Sequence, residues 1–298
     1  MDNAINLAKA NPFRFLTLVF SDWFVIAASL ALARYINHPV GYWICVLIVG
    51  NRQHGIGVML HDAAHFTFSR NRRLNDLMGN LLAAWPLLVD VRTFRVTHFE
   101  HHRSVGTPAD TELIYRKQGS PDWDLPKTRK GIYFDTLKDL CGRNCINYLY
   151  LYRLVGPSNF RQMLPPLVFL AAIWSFVIYQ GGLWIMAIWY SAMLTSFLAC
   201  FRWRTWFEHL GFTGTHRVTL NWWQRLLIAP HGAHCHYEHH LWPGIPCWNL
   251  PRARSLDTSE KIITLSELFD AYEKVKPLPS HHYGRDSLLE LEHSKRVG

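Results

Sequence analysis

Four long apolar stretches constrain the fold of this 298-residue chain more than any other feature. Each is long enough to cross the hydrocarbon core of a bilayer as a helix, and they comprise residues 16–36, 40–60, 164–180 and 183–201. The charged residues fall mostly between these stretches, which is typical of integral membrane proteins. Because a backbone in lipid must satisfy its own hydrogen bonds, the pattern predicts an all-α integral membrane fold with four transmembrane helices.

The connections between the apolar stretches predict two helical hairpins. Asn37-His38-Pro39 separates the first two stretches, and Gly181-Gly182 separates the last two. The second turn lacks Lys and Arg, which marks the translocated side, whereas basic flanks carry much of the formal net charge of +9. We therefore expect one domain over residues 1–298, with both termini, a loop over about 66–160 and a tail over 251–298 in the cytoplasm.

Three histidine clusters indicate a metal centre. They are His61 with His65, then His98, His101 and His102, then His236, His239 and His240. Residues at i, i+3 and i+4 share one helical face, so each cluster aims its imidazoles at one region. Eight histidines exceed the four ligands of a structural zinc site, which favours two metals. His209, at the end of the fourth stretch, is a ninth candidate.

A shorter apolar segment, residues 77–91, separates the first cluster from the second. A full membrane crossing here would put the two clusters on opposite sides of the bilayer. We therefore expect an interfacial or re-entrant segment.

Polar residues near the clusters are candidates for supporting roles. Arg52, Gln53 and His54 interrupt the second stretch and must face a cavity, another helix or the cytoplasm. His54 and His61 are seven residues apart, so they share one face of the helix, and a polar stripe leads from this interruption to the first cluster. Ligating imidazoles usually donate their second N–H to a carboxylate or carbonyl, so supporting candidates are Asp62, Asp110, Glu208, Glu238 and His234.

An acid inside the first stretch, Asp22, has two interpretations. Ionisable residues within membrane segments are often functional. An interfacial cap or a partner for a neighbouring helix accounts for it equally well.

Other classes of protein fit the pattern less well. The chain has no Ser-His-Asp frame, no phosphate-binding glycine loop and no CxxC motif, and its six cysteines lack a secreted disulfide pattern. A two-metal hydrolase normally includes bridging carboxylates. A histidine-rich metal transporter would carry its ligands at mid-membrane depth, whereas these clusters lie at or beyond helix ends. No feature indicates a nucleic-acid partner.

The clusters resemble the three histidine boxes of the membrane fatty acid desaturase and hydroxylase superfamily. The motifs are His61-Asp-Ala-Ala-His65, His98-Phe-Glu-His-His102 and His236-Tyr-Glu-His-His240 followed by Leu-Trp-Pro-Gly-Ile-Pro. The resemblance covers about residues 50–250. Arg52-Gln53-His54, Asp110 and Glu208-His209 are also similar to bacterial members, which implies a bacterial inner membrane. The resemblance further implies that Arg52 and Gln53, with Trp203 and Trp206, line a substrate tunnel or hold a headgroup, and that His54 lies in this tunnel or beside the ligands. The first box is HxxxH, unlike the HxxxxH of stearoyl-type acyl-CoA desaturases.

The resemblance implies a chemistry and a set of partners. Two non-haem iron ions would use O2 and two electrons to oxidise an unactivated C–H bond in a fatty acyl or lipid-like chain, most simply by desaturation. Hydroxylation or ketone formation on an alkane, carotenoid or specialised metabolite is the alternative. The electrons would come from a separate ferredoxin, rubredoxin or cytochrome b5 type donor with its reductase.

Overall fold

The architecture is mostly helical, as the computed structural model shows for residues 2–118, 122–208, 215–258 and 261–274. The first half contains α1 (Asp2–Leu7), α2 (Pro12–Ile36), α3 (Pro39–Ala64), α4 (Arg72–Gly79), a π-helical turn (Asn80–Ala84), a 3-10 turn (Trp85–Leu87), α5 (Val91–Ser104), α6 (Thr111–Gln118) and α7 (Arg129–Leu140). The second half contains α8 (Ile146–Val155), α9 (Phe160–Tyr179), α10 (Leu183–Leu194), α11 (Ser196–Glu208), β1 (Arg217–Thr219), α12 (Trp222–Ile228), a 3-10 turn (Pro230–Gly232), α13 (His236–Leu241), α14 (Leu250–Ala253), a 3-10 turn (Arg254–Leu256), β2 (Ile262–Thr264) and α15 (Leu265–Lys274).

Three helical segments among the described residues are long and apolar enough to cross a membrane. They are Pro12–Ile36, Phe160–Tyr179 and Leu183–Glu208, the last of which changes direction at Thr195 between α10 and α11. The expected stretch 40–60 lies within α3, a helix of 26 residues whose Asn51–His54 cluster lowers its mean hydropathy. Helical segments of membrane-spanning length are therefore confirmed, and the arrangement of four spans in two hairpins stays a prediction.

Capping residues set the turn between α2 and α3. The Asn11 side chain accepts a hydrogen bond from the Arg14 amide at the start of α2, and Asn37 ends that helix in a left-handed conformation. His38 caps α3, and Pro39 occupies the first turn, where a missing N–H costs little. The end of α2 and the start of α3 lie only three residues apart, so the two helices are joined by a tight turn and pack against each other.

The helix α3 is the centre of the molecule. Its last half is almost wholly buried, and it packs against α2, α5, α10 and α11. Gly50 permits the closest of these approaches, because a Cβ atom there would lie 2.0 Å from the Ser196 Oγ and 2.6 Å from the Phe197 amide nitrogen. The Ser196 hydroxyl then donates to the Val46 carbonyl at 2.7 Å, which joins α11 to α3.

The acid of the first span pairs with two other parts of the chain. Asp22 is fully buried, accepts from Arg52 of α3 at 3.2 Å and lies 2.7 Å from the His231 Nε2. His231 has a left-handed backbone with φ of 53°. Of the two interpretations of Asp22, the structure supports a partner for neighbouring elements.

The segment over residues 77–91 folds as short helical pieces rather than one long helix. The π-helical and 3-10 turns succeed α4, and Leu88 reverses the chain with φ of 58°. The Trp23 indole N–H of α2 donates to the Leu82 carbonyl at 3.0 Å, which fixes the segment against the first span. Its depth relative to the bilayer stays a prediction.

The polar middle of the chain packs as a cap on the end of α11. Arg202 is buried and forms an ion pair with Asp139 of α7, its Nη2 lying 2.9 Å from the Asp139 Oδ1. The C-terminal helix α15 joins this cap through Tyr272, whose hydroxyl donates to the Trp206 carbonyl. The strands β1 and β2 pair in parallel, with Arg217 opposite Ile262. The remainder of the predicted tail, residues 275–298, lies outside the described residues.

Replacing Gly50 with Ala should destabilise the bundle by roughly 1–3 kcal/mol, because the new methyl group must separate α3 from α11. The matched control is Gly57→Ala on the same helix, since a Cβ there meets no described atom within 4 Å. The control should be neutral or stabilising by up to about 1 kcal/mol through helix propensity. Thermal unfolding of both variants in the same detergent measures the difference, and equal midpoints would contradict the close approach.

Candidate metal centre

Three helices carry the histidine clusters to one region. His61 lies in the last turn of α3 and His65 caps its end. The second cluster lies on α5, whose start is fixed by Asp90, a side chain that accepts from the amides of Arg92 and Thr93. The third cluster forms most of the short helix α13.

The eight imidazoles separate into two groups. The first group contains His61, His65, His98, His102 and His239, and the second contains His101, His236 and His240. Within each group, the candidate ligand atoms all lie within 4.8 Å of one another. The groups are adjacent, since the rings of His102 and His240 are 4.3 Å apart between centroids.

The two longer boxes divide their histidines in opposite ways. On α5, the i,i+4 pair His98 and His102 joins the first group and His101 joins the second. On α13, the i,i+4 pair His236 and His240 joins the second group and His239 joins the first. Each of these two boxes therefore contributes to both groups, so α5 and α13 together connect the two groups.

The spacing within the groups fits metal ligation. In the first group, the His102 Nε2 lies 3.0 Å from the His98 Nε2 and 2.9 Å from the His239 Nε2. In the second, the Nε2 atoms of His236 and His240 are 2.9 Å apart. Two nitrogens bound at right angles to one metal at about 2.1 Å would be about 3 Å apart. The buried His61 Nε2 has no hydrogen-bond partner in the described part of the chain, as expected of a metal donor.

Burial keeps these imidazoles in the form that binds metals. Desolvation, followed by neighbouring histidines, lowers the pKa of His65 to about 3, of His102 to about 4 and of His240 to about 2. The pKa values of His98 and His239 are lowered well below the usual range for the same reasons. All five are therefore neutral at pH 7 and offer a lone pair.

His101 differs because carboxylates surround it. Burial lowers its pKa, but the charge of Glu112 and the hydrogen-bonded Asp110 raise it by more, so the net shift is upward. The His101 Nδ1 lies 2.8 Å from the Asp110 Oδ1, which also accepts from the Glu112 amide at 3.0 Å. This carboxylate fixes the ring and leaves the His101 Nε2 directed at the second group.

Glu208 occupies a similar position against the third box. Its Oε1 lies 3.2 Å from the His236 Nδ1 and also accepts a hydrogen bond from Arg204. Two of the expected carboxylates, Asp110 and Glu208, are thus beside ligand candidates. Both serve the second group.

The structure places Asp62 and Glu238 in other contacts. Asp62 accepts from the Cys247 amide at 3.0 Å and from the Thr67 hydroxyl at 3.3 Å, so it ties the segment after the third box to α3. Glu238 is fully buried and pairs with Arg217 of β1 at 2.7 Å and with Arg254. Both acids hold the third box in place without contacting its imidazoles.

The remaining sequence candidates also find specific places. Arg52 contacts Asp22, Asn51 and the Leu226 carbonyl, whereas Gln53 donates to the Trp189 carbonyl at 3.0 Å. His234 is buried beside Cys235 and belongs to neither histidine group. Arg52 and Gln53 do not line the cavity described next, and their expected role in a tunnel or at a headgroup stays a prediction. Trp203 and Trp206 pack in the cluster around α15 and are likewise absent from that cavity. His209 lies outside the described residues.

A largely apolar cavity of about 90 Å³ adjoins the histidine groups. Its wall near the centre includes Phe94, which stacks on His98 with centroids 5.3 Å apart, and Glu112, whose Oε1 is 3.8 Å from the His101 Nε2. The other lining residues are His54, Gly57, Leu87, Val89, Tyr115, Tyr148, Leu151, Tyr152, Leu154, Val155, Phe197, Phe201 and Arg204. An apolar chain in this cavity would end at Phe94 and Glu112, each of which lies one side chain away from the imidazole cluster.

Sequence reasoning missed Glu112 and Arg204. Glu112 follows Asp110 by two residues at the start of α6, where acids are favoured by the helix dipole. Its place at a helix start is the one sequence signal that could have identified Glu112 as a candidate. Arg204 lies four residues before Glu208 on α11, the spacing of a helical ion pair, which was a usable signal.

Helices of membrane-spanning length and two adjoining groups of imidazoles that could hold metal ions are the features of a membrane protein with a candidate metal centre. The chain belongs to the Fatty acid desaturase family, whose profile matches residues 37–261. It is accordingly an oxidoreductase of the fatty acid desaturase type and a membrane protein.

Three relatives with different named activities are each 26% identical to this chain over the aligned residues. Dihydrorhizobitoxine desaturase of Bradyrhizobium elkanii is 26% identical over 261 residues, covering 80% of this chain and 73% of the relative. The sn-1 acyl-lipid omega-3 desaturase (ferredoxin) of Nostoc sp. (strain 36) is 26% identical over 277 residues, with coverages of 82% and 75%. Zeaxanthin 4-ketolase of Chlamydomonas reinhardtii is 26% identical over 216 residues, with coverages of 68% and 41%.

Replacing Glu238 with Ala should lower stability by roughly 3–5 kcal/mol, because it leaves the buried Arg217 without its partner. Thermal unfolding of the metal-free protein isolates this structural effect from any effect on metal binding. Asp270→Ala, at an exposed acid of α15 whose partner Arg129 is also exposed, serves as the control and should change stability by less than about 1 kcal/mol. An unchanged midpoint for the Glu238 variant would contradict the anchoring role.

Proposed function

We propose that this protein is an O2-dependent di-iron enzyme that oxidises an unactivated C–H bond of a fatty acyl or lipid-like chain, most simply by desaturation. The observation that carries the proposal is an apolar cavity that only Phe94 and Glu112 separate from two adjoining groups of imidazoles. A hydrophobic substrate and a pair of metals are thereby brought to one place.

We assign one iron to each histidine group. His61, His65, His98, His102 and His239 would hold the first iron, and His101, His236 and His240 would hold the second. His209 is proposed as a further ligand of the second iron, whose group has fewer imidazoles. When bound, the iron pair supplies the activation of O2 with two external electrons that C–H oxidation requires.

The protein's own residues orient the imidazole rings and exclude water from the site. Asp110 and Glu208 accept from His101 and His236, which fixes the ring positions and strengthens the imidazoles as ligands. Phe94 separates the cavity from His98 and forms its apolar wall. Exclusion of water from such a site limits side reactions of a strong oxidant.

The names of the relatives favour desaturation. Two of the relatives above are named desaturases, and one of them is named for acyl lipids. The relative named as a zeaxanthin ketolase supports the alternative, in which oxygen is retained in a carotenoid or other apolar product as an alcohol or ketone. Placement of the C–H bond within the cavity decides between these outcomes.

We further propose a ferredoxin-type donor, because one relative's name specifies ferredoxin. Rubredoxin and cytochrome b5 types, each with a reductase, are the alternatives. The expected topology is four spans in two hairpins in a bacterial inner membrane, with the histidine groups and both termini in the cytoplasm. A metal transporter is a distant alternative, since the histidines lie at helix ends beside a cavity for an apolar ligand.

The purified protein should contain two iron ions per chain, and His236→Ala should reduce this to about one because it depletes only the second group. His239→Ala should instead deplete the first group. His234→Gln, at the buried neighbour outside both groups, is the matched control and should retain both ions. Metal analysis by mass spectrometry measures the content, and one zinc ion with no iron would contradict the oxygenase proposal.

Replacing Gly57 with Leu should reduce lipid oxidation at least about tenfold while leaving the iron content unchanged. Gly57 lines the cavity, and a Cβ there meets no described atom within 4 Å, so a larger side chain occupies the space intended for substrate. Gly244→Leu, where a Cβ is equally unobstructed, tests the same substitution away from the cavity.

Mass spectrometry of lipids from cells with and without each variant measures turnover. Loss of two hydrogens from a product identifies desaturation, and gain of one oxygen identifies hydroxylation. Full turnover by the Gly57 variant would contradict the role of the cavity.

A further inference from the structure

One polar side chain of the cavity lacks a partner. His54 is 1% exposed, and neither its Nδ1 nor its Nε2 has a hydrogen-bond partner among the described residues. A neutral imidazole always presents one donor and one acceptor. Leaving a buried donor or acceptor unpaired is costly, so an unpartnered imidazole indicates that another molecule completes its hydrogen bonds.

Most of the other polar side chains around the same cavity have a partner. The Tyr148 hydroxyl donates to the Leu87 carbonyl at 3.0 Å, and the Tyr115 hydroxyl contacts the Asn147 carbonyl at 3.4 Å. Glu112 pairs with Arg116 at 2.9 Å, and the Arg204 Nε pairs with Glu208. Tyr152 is only half-buried, so water can reach its hydroxyl. His54 is thus the fully buried polar side chain of this wall whose hydrogen-bonding atoms have no partner among the described residues.

The position of His54 relates it to the metal centre. It precedes His61 by seven residues on α3, so the two share a helical face and are separated by roughly 10 Å along the axis. The cavity continues over this interval, since Gly57 also lines it. A substrate whose reactive carbon lies near the histidine groups therefore passes His54 at a fixed distance.

We propose that His54 is a specificity-determining residue that donates a hydrogen bond to an oxygen atom of the substrate. The substrate class is an apolar chain carrying a carbonyl or hydroxyl oxygen within about 10 Å of the oxidised carbon, rather than a plain hydrocarbon segment. The guanidinium of Arg204 in the same wall favours an electron-rich oxygen at this place. The proposal rests on the proposed function only in taking the cavity as the substrate site.

Binding of matched probes tests the proposal without turnover, so its failure is distinguishable from failure of the oxidation proposal. The probes are dodecan-2-one and dodecane, titrated against iron-loaded protein in nanodiscs. His54→Phe should weaken dodecan-2-one about fivefold, as expected from a net hydrogen bond of about 1 kcal/mol. Dodecane should be unaffected, and comparing variants with one probe cancels its partitioning into lipid.

Infrared spectroscopy of carbonyl-labelled dodecan-2-one gives an independent readout. A hydrogen bond from His54 should shift the carbonyl stretch to lower wavenumber, and the shifted band should disappear in His54→Phe. His54→Gln keeps a donor and should retain part of the shift. Tyr148→Phe removes a hydroxyl already committed to Leu87 and should retain all of it.

The proposal is overturned if both probes respond equally to His54→Phe, or if the carbonyl band is unshifted in the unsubstituted protein. Iron content and the unfolding midpoint of each variant establish that it is folded. If His54→Phe does not fold, the His54→Gln variant carries the test. Absence of lipid oxidation by the unsubstituted protein, with probe binding still dependent on His54, would count against the oxidation proposal alone.

Discussion

The structure depends on satisfying polar groups inside an apolar helical bundle. The constraint is sharpest on α3, where four consecutive polar residues point in four directions. Asn51 donates to the Leu227 carbonyl at the end of α12, Arg52 pairs with Asp22 of α2, and Gln53 donates to the Trp189 carbonyl of α10. Each contact fixes one neighbouring element because an unpaired polar group there would cost several kcal/mol. Only His54 of the four is directed at the cavity.

The need to satisfy buried polar groups also explains how the two histidine groups are supported. Buried carboxylates near the histidines serve two purposes, and the partner of each decides which. Asp110 and Glu208 contact imidazoles directly, whereas Asp62 and Glu238 hold the backbone and strands that carry the third box. The first pair orients rings and the second pair positions a helix. Because all four acids lie close to histidines in the sequence, only three-dimensional packing distinguishes them.

Much of the fold follows from the sequence because lipid imposes simple rules. The first apolar stretch, the capped turn at Asn37–Pro39 and the short segment before α5 are all readable from hydropathy and capping residues. Hydropathy fails where a helix leaves the apolar region. The last span was expected to end at residue 201, but α11 continues to Glu208, and Arg202 in this extension is buried by pairing with Asp139.

The histidine boxes predict a metal centre, but they do not predict its division into two groups. Helical spacing shows that His98 and His102 share a direction that His101 does not. Spacing alone does not show whether His98 and His102 join the same group as the i,i+4 pair on α13. That depends on how α5 and α13 face each other. The opposite division of the two boxes is a property of that packing. The positions of Glu112 and Arg204 in the cavity wall depend on packing for a similar reason, because they lie on different helices.

The parallel pairing of β1 with β2 has a consequence for the order of assembly. Arg217 and Ile262 lie side by side although the whole third box separates them along the chain. Arg217 also holds Glu238 within that box, so the pairing closes the base of a long loop around α13. During synthesis this loop cannot close until the residues of β2 have emerged from the ribosome. The third box is therefore the last of the three histidine clusters to be fixed in place, because its anchor is completed only when the chain has been made through β2.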